Sequence, residues 1–305
     1  MRRLLTEELP SHAAVWLQRR TLLGSPTFVS LWETMGGLAV YWAWFEREKL
    51  IAVLPSVQFG TGRLARLQAM PDGLYTRAHF LEGAADKAAI VGQFAASIAS
   101  QTFSKVYIHD YYGQLGTVAG YERIECETNQ VDIGSGNWLP PDKKLQSEIR
   151  KALREEVPVR DFSLNRHLDP FLDLMSRTEK RHGRVPRYSG EFYRALGRLA
   201  MTDMRIRWLV CEQGDELAAS HIYFVEGDML LNWQVYFDKR FSSLKPNQLI
   251  TYSLARELAL RGVRILNLGA TPVDAESLTA YKMKWGGDVY RYPCWRRYSW
   301  LGRLL

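Results

Sequence analysis

Cysteine is scarce in this chain: three of 305 residues, at 126, 211 and 294. So few, so far apart and odd in number, they exclude a disulfide scaffold. No C-x-x-C pair suggests a zinc ribbon or a redox motif, and the usage suits a reducing compartment. Long apolar runs are missing too. The longest, Gly36 to Phe45, is about ten residues, against ~20 for a spanning helix. Arg2 and Arg3 are followed by Glu7 and Glu8 before any stretch of signal-peptide length, so the expected location is cytoplasmic. The histidines (His12, His79, His109, His167, His182, His221) show no H-x-x-x-H or Cys/His spacing, and no G-x-S-x-G elbow occurs. Sequence spacing therefore names no metal site and no nucleophile elbow.

What is present is ordinary globular composition, 47% hydrophobic and 24% charged, in a length that suits two domains. Forty basic residues outnumber 33 acidic ones, giving +7. That surplus favours an anionic partner, whether nucleotide, nucleic acid or acidic membrane surface, without choosing among them.

Pattern along the chain predicts a helix from Ser11 towards Gly24, strands Leu38–Phe45 and Leu50–Val57 around a charged turn, and a helix capped by Asp86 with Ile90, Phe94 and Ile98 on one face. A strand over Lys105–His109 and another over Tyr121–Val131 follow. The Gly134–Pro141 stretch reads as a connector, placing the junction at residue 140, between domains 1–140 and 141–305. Beyond it come a charged helix over Asp142–Glu156, a helix starting at the Asp169-Pro170 cap, and another over Ser189–Met201. Strands over Arg205–Cys211, Leu217–Val225 and Met229–Phe237 precede a helix over Asn247–Arg261. A strand (Arg264–Leu268), a short helix (Ala275–Lys284) and a last strand (Asp288–Trp295) complete an α/β unit with a mixed sheet. Strict alternation would point Leu231, Trp233, Val235 and Phe237 one way, and Asn232, Gln234 and Tyr236 the other. The order from Asp86 to Val131 resembles that of the second half, suggesting a divergent duplication.

Two stretches carry candidate chemistry. The first joins strand to helix through Lys239, Arg240, Ser243, Leu244, Lys245 and Pro246. A helix start with cations beside it attracts phosphate or a polarised carbonyl; equally, a capped loop with solvated lysines would read the same. The second runs from Asn267-Leu268-Gly269 to Tyr281-Lys282-Met283-Lys284-Trp285-Gly286-Gly287. A glycine ending a strand suits a ligand crevice, whereas a helix with a Gly-Gly end and core aromatics needs no ligand at all. His221, inside a strand, reads as a satisfied, partly buried residue, and Cys211 as core. The tail mixes Arg291, Arg296, Arg297 and Arg303 with Tyr292, Trp295, Tyr298 and Trp300. It fits a final strand with a docked end, or a surface for bases or a bilayer.

In their order, these motifs resemble the GNAT-fold acyltransferases of the Fem type and their relatives in bacterial polysaccharide and cell-envelope synthesis. The carriers are the Pro-initiated helix ending in Arg261-Gly262, then Ile265-Leu266-Asn267-Leu268-Gly269, then Tyr281-Lys282-x-x-Trp285-Gly286-Gly287. Ser25-Pro26, Trp32, Leu50–Pro55 and Ser147–Ala152 agree with it. The resemblance implies two tandem GNAT-like domains with a cleft between them, the first taken as degenerate and the second carrying the donor site. It implies transfer of an acyl or aminoacyl group to an amine. The donor would be acyl-CoA, another acyl thioester such as acyl carrier protein, or aminoacyl-tRNA, with no permanently bound cofactor and no metal. The acceptor would be a small molecule or envelope precursor, and the basic, aromatic tail leaves room for peripheral membrane contact. An inactive GNAT-like scaffold for a polysaccharide-synthesis partner is the non-enzymatic alternative. Carried over by position, Lys282 would face developing oxyanion charge and Tyr281 would protonate the leaving group. Ser243, Leu244, Lys245, Asn247 and Gln248 would hold the donor, with Trp233, Tyr236 and Asn267 on the substrate. No Arg/Gln-x-x-Gly-x-Gly/Ala pyrophosphate signature is present.

Overall fold

The computed structural model describes residues 1–84, 86–135, 137–271 and 275–304. Gly136 of the connector and Pro272 of the second motif lie outside the described residues. The chain divides into two compact units, Met1–Cys126 with Arg291–Leu305, and Glu127–Tyr290. The expected boundary at residue 140 thus falls inside the second unit, and the C-terminal tail belongs to the first. The reason is an exchange of final strands, described below.

In the first unit, β1 (Arg2–Leu5), helices α1 (Ser11–Arg20) and α2 (Pro26–Val29), β2 (Gly37–Glu46), β3 (Lys49–Phe59), β4 (Arg66–Ala69), β5 (His79–Phe80), α3 (Lys87–Ala99) and β6 (Lys105–His109) follow in sequence. Arg47 and Glu48 take φ of 46° and 67°, the left-handed pair that a two-residue hairpin turn between β2 and β3 demands. Asp86 caps α3 by accepting from the Ala89 amide at 2.8 Å, and Ile90, Phe94 and Ile98 are buried as their spacing requires. Strands β1 to β4 pair antiparallel in the order β1-β2-β3-β4, β4 pairs parallel with β6, and β5 adds to β3.

The second unit repeats that order. After β7 (Glu122–Asp132) come α4 (Lys143–Arg154), β8 (Val159–Asp161), α5 (Leu164–Arg181), α6 (Gly190–Ala200), β9 (Ile206–Gln213), β10 (Glu216–Glu226), β11 (Met229–Phe237), α7 (Pro246–Ala259), β12 (Ile265–Thr271) and α8 (Glu276–Met283); β13 (Asp288–Tyr298) and α9 (Trp300–Leu304) follow and, from residue 291 on, belong to the first unit. Strands β8 to β11 are antiparallel neighbours, and β11 pairs parallel with β12. The sixth strand is exchanged in each unit: β13 closes the first by pairing antiparallel with β6, and β7 closes the second by pairing with β12. The mixed α/β class expected from sequence is the one observed. Among the described residues, no helix is long and apolar enough to cross a membrane.

Two local readings are corrected. Helix α5 starts at Leu164, so Pro170 lies inside it rather than in its first turn. Phe162 stacks on Trp208 with ring centroids 3.7 Å apart, and His167 and Leu168 are buried. The burial of these earlier residues outweighs the cap signal at Asp169, at the loss of one backbone donor. Along β11, Ile222 pairs with Gln234 and Tyr223 with Asn232, leaving Trp233 as an extra residue. That bulge reverses the alternation beyond it, so Asn232 ends on the same side as Val235 and Phe237.

Strands β11 and β12 share only three rungs, Met229–Ile265, Leu230–Leu266 and Leu231–Asn267, and then part. The parting is built into β12. Asn267 Oδ1 accepts from the Gly269 amide at 2.9 Å and from Thr128 Oγ1 at 2.6 Å, and the register with β7 slips between Asn267 and Ala270. Gly269 takes φ +78°, and a Cβ there would stand 2.6 Å from Asn232 O. Gly269→Ala is expected to lower stability by about 2–3 kcal/mol, combining left-handed strain with a backbone clash. A thermal or denaturant midpoint equal to that of the unaltered protein would contradict the tight approach.

Candidate active site

Past the last shared rung, the gap between β11 and β12 opens into a cavity of about 690 Å³ wholly within the second unit. Its lining includes Asn232, Val235 and Phe237 from β11, Leu268 from β12, Asn247 and Thr251 from α7, and Tyr281 and Lys282 from α8. His221 of β10 forms part of the wall, and Thr178, Arg181, His182 and Arg184 at the end of α5 form another part. An opening between parallel strands at their carboxyl ends is where α/β sheets bind ligands.

The wall under α7 is a directed hydrogen-bond chain. Asn247 Oδ1 lies 2.9 Å from His221 Nε2, so this nitrogen carries the proton and donates. His221 Nδ1 then accepts from Tyr223 at 2.9 Å, and the Tyr223 hydroxyl accepts from Thr251 Oγ1 at 2.8 Å. Asn247 and Thr251 are one helical turn apart, and His221 and Tyr223 two residues apart on a strand, so each pair shares a face. Burial pulls the His221 ring down to about 4 and holds it neutral. The expectation of a satisfied histidine agrees with this geometry. With Asn247 Oδ1 occupied, its amide donors are left for the cavity.

Lys282 is buried, 4% exposed, and its ammonium donates to Gly269 O at 2.7 Å, Ala270 O at 3.0 Å and Thr271 Oγ1 at 2.9 Å. All three N–H groups therefore hold the bulged end of β12. Burial lowers its pKa to about 8, which leaves the ammonium charged at neutral pH. Tyr281, whose hydroxyl is pushed up to about 12 by burial, keeps its proton and can donate it. Thr178 Oγ1 and Trp285 Nε1, both in the wall, are buried with no hydrogen-bond partner. The mouth is basic: Arg181 and Arg184 are exposed, Arg181 lies over the Phe237 ring at 5.6 Å, and Arg184 Nε donates to Glu179 at 2.7 Å.

Of the residues named from sequence, the structure brings Tyr281, Lys282 and Asn247 into one cavity and leaves the others out of its lining. Ser243 is exposed, and Leu244 packs against the core. Lys245 Nζ and Gln248 Nε2 both donate to Glu148 of α4, at 3.0 and 3.3 Å, so they are tied to the neighbouring helix. Asn267 is fully buried and consumed in shaping β12. Trp233, the bulged residue, packs on Tyr188 and Phe224, and beyond it Tyr236 is buried with its hydroxyl 3.5 Å from that of Tyr193. His221, Tyr223, Thr251, Asn232 and Thr178 were not named as site residues. The helical pair Asn247/Thr251 and the strand pair His221/Tyr223 carry a signal in their spacing, whereas Thr178 carries none.

Residues 142–283 match the family model of the acetyltransferase (GNAT) domain. No curated protein matches the sequence. Among solved structures, FemX is similar at 13% identity, with 96% of this chain and 97% of that one covered and a TM-score of 0.69. L-PGS from Bacillus licheniformis is similar at 14% identity, covering 97% and 96%, with a TM-score of 0.61. A tandem GNAT protein from the clavulanic acid biosynthesis pathway is similar at 13% identity, covering 93% and 92%, with a TM-score of 0.51.

The neutral ring makes a pH prediction. Its folded value lies below the ordinary 6.5, so on acidification the unfolded chain takes the proton first. The ring's contribution is complete above pH 6.5 and is lost as pH falls towards 4, by about 3 kcal/mol at most. Unfolding free energy should fall less steeply over that window in His221→Gln than in the unaltered protein. Parallel curves would refute a buried neutral histidine.

Proposed function

From a chain whose residues 142–283 are a GNAT-type acetyltransferase domain, with the fold of the Fem-like tandem GNAT structures, we propose an N-acyltransferase acting on the amine of a sugar, peptide or cell-envelope precursor. The observation that carries this reading is the parting of β11 and β12 onto a cavity that also receives Asn247, Tyr281 and Lys282. An activated carbonyl lying in that gap would meet positive charge from Lys282 and amide donors from Asn247 as its oxygen becomes anionic. Because the three Lys282 N–H groups are engaged, its contribution is field and anchoring, and Asn247 is the free hydrogen-bond donor. The neutral amine attacks the carbonyl carbon, a C–N bond forms, and the C–S or C–O bond to the donor breaks. The amine's surplus proton leaves through water, and the Tyr281 phenol supplies the proton to the departing group. No covalent enzyme intermediate is required.

The basic mouth at Arg181, His182 and Arg184 suits an anionic donor, and a cytoplasmic reaction fits such donors. Lys245 and Gln248 are committed to Glu148, and the glycine-rich pyrophosphate signature is absent. Both favour a donor held by something other than a diphosphate cradle, so aminoacyl-tRNA and acyl carrier protein stand beside acyl-CoA.

The test is transfer from a panel of acyl-CoA, acyl carrier protein and aminoacyl-tRNA donors to amine acceptors. Tyr281→Phe should lower kcat about 100-fold with KM little changed, since the donated proton matters only in the transition state. A Tyr281→Phe enzyme of full activity removes that role. No transfer from any donor, together with a stable complex with an envelope-synthesis protein, would favour the inactive scaffold instead.

A further inference from the structure

The first unit holds a cluster that the proposed transfer chemistry does not use. His109 of β6 and Cys294 of β13 are direct antiparallel partners, and Cys126 stands at the fifth residue of β7. A ring nitrogen of His109 and both Sγ atoms all lie within 4.8 Å of one another. From this geometry we infer that His109, Cys126 and Cys294 form a binding site for a thiophilic metal ion of the zinc class.

Three observations carry the assignment. The donor set is two sulfurs and an imidazole, which suits zinc or copper(I) and discriminates against calcium and magnesium. The spacing is right: with bonds of about 2.3 Å to sulfur and 2.0–2.1 Å to nitrogen, donors around a tetrahedral ion stand about 3.7 Å apart. The three donors, within 4.8 Å of one another, stand at most about an ångström beyond that separation. Finally, His109 Nδ1 is buried without a hydrogen-bond partner. Access is compatible, because His109 and Cys126 are half-buried, although Cys294 is buried. Three protein ligands leave a fourth position for water. Positions 109, 126 and 294 meet only through strand pairing, so the spacing rules that excluded a metal from the sequence had no means of seeing it.

The experiment uses the full-length, untagged, reduced protein and titrates it with Co²⁺ and then Zn²⁺. One equivalent of Co²⁺ should produce a near-ultraviolet thiolate-to-cobalt band and red d–d bands, both abolished by Zn²⁺. Cys126→Ser should lose the thiolate band and weaken Zn²⁺ binding about 100-fold or more, exceeding the 10–100-fold typical of lost outer-shell partners. His109→Gln should weaken it similarly. Cys211→Ser removes the buried cysteine of the second unit and should leave the spectrum intact. Because Cys126 is half-exposed, the metal-free Cys126→Ser protein should keep its thermal midpoint, separating ligand loss from unfolding. The assignment is overturned if no thiolate band forms or if the band survives in Cys126→Ser. It is equally overturned if the reduced protein takes up no metal while mild oxidation joins Cys126 to Cys294.

Discussion

The separation of β11 from β12 is the constraint on which the second unit's site depends. Parallel strands that stayed paired would seal the space between them; here pairing stops after three rungs because Asn267 turns its side chain onto its own strand. Lys282 then secures the distorted end. A buried ammonium without partners would be strongly unfavourable, and three oxygens at 2.7–3.0 Å remove that problem while clamping α8 to β12. The same lysine thus brings charge to the cavity and maintains the shape that makes the cavity exist.

The polar wall obeys a complementary logic. From Thr251 through Tyr223 and His221 to Asn247, each donor finds an acceptor, so orientation is fixed along the whole series. Such a wall has its donors and acceptors oriented by the fold itself. Thr178 Oγ1 and Trp285 Nε1 are the contrast: both belong to the same cavity wall and are buried without a hydrogen-bond partner.

Much of this was legible in the sequence, for identifiable reasons. Strand β6 at Lys105–His109 and strand β11 at Met229–Phe237 have the expected limits, because alternation or dense β-formers left no competing period. Asp86, Asp142 and Ser189 cap their helices through local hydrogen bonds that sequence spacing reveals. Lys282 and Tyr281 were reachable through motif order, and Asn247 through its place in the first turn of α7. What was hidden depends on tertiary geometry. Nothing local announces the extra residue at Trp233, which turns Tyr236 away from the cavity and Asn232 towards it. Nor does a helix-start sequence reveal that Glu148, 97 residues before Lys245, will claim its ammonium. The two-unit layout was visible, but its boundary was not, because a connector rich in glycine and proline need not lie where the chain passes from one unit to the other.

That exchange of sixth strands has a consequence for how the molecule is made. During synthesis, the amino-terminal unit emerges with its sheet one strand short, the edge of β6 unpaired until residues 291–298 have left the ribosome. Exposed strand edges invite pairing with other chains. The first unit can therefore complete its sheet only after the second has been translated, and the edge of β6 lacks its native partner throughout that interval.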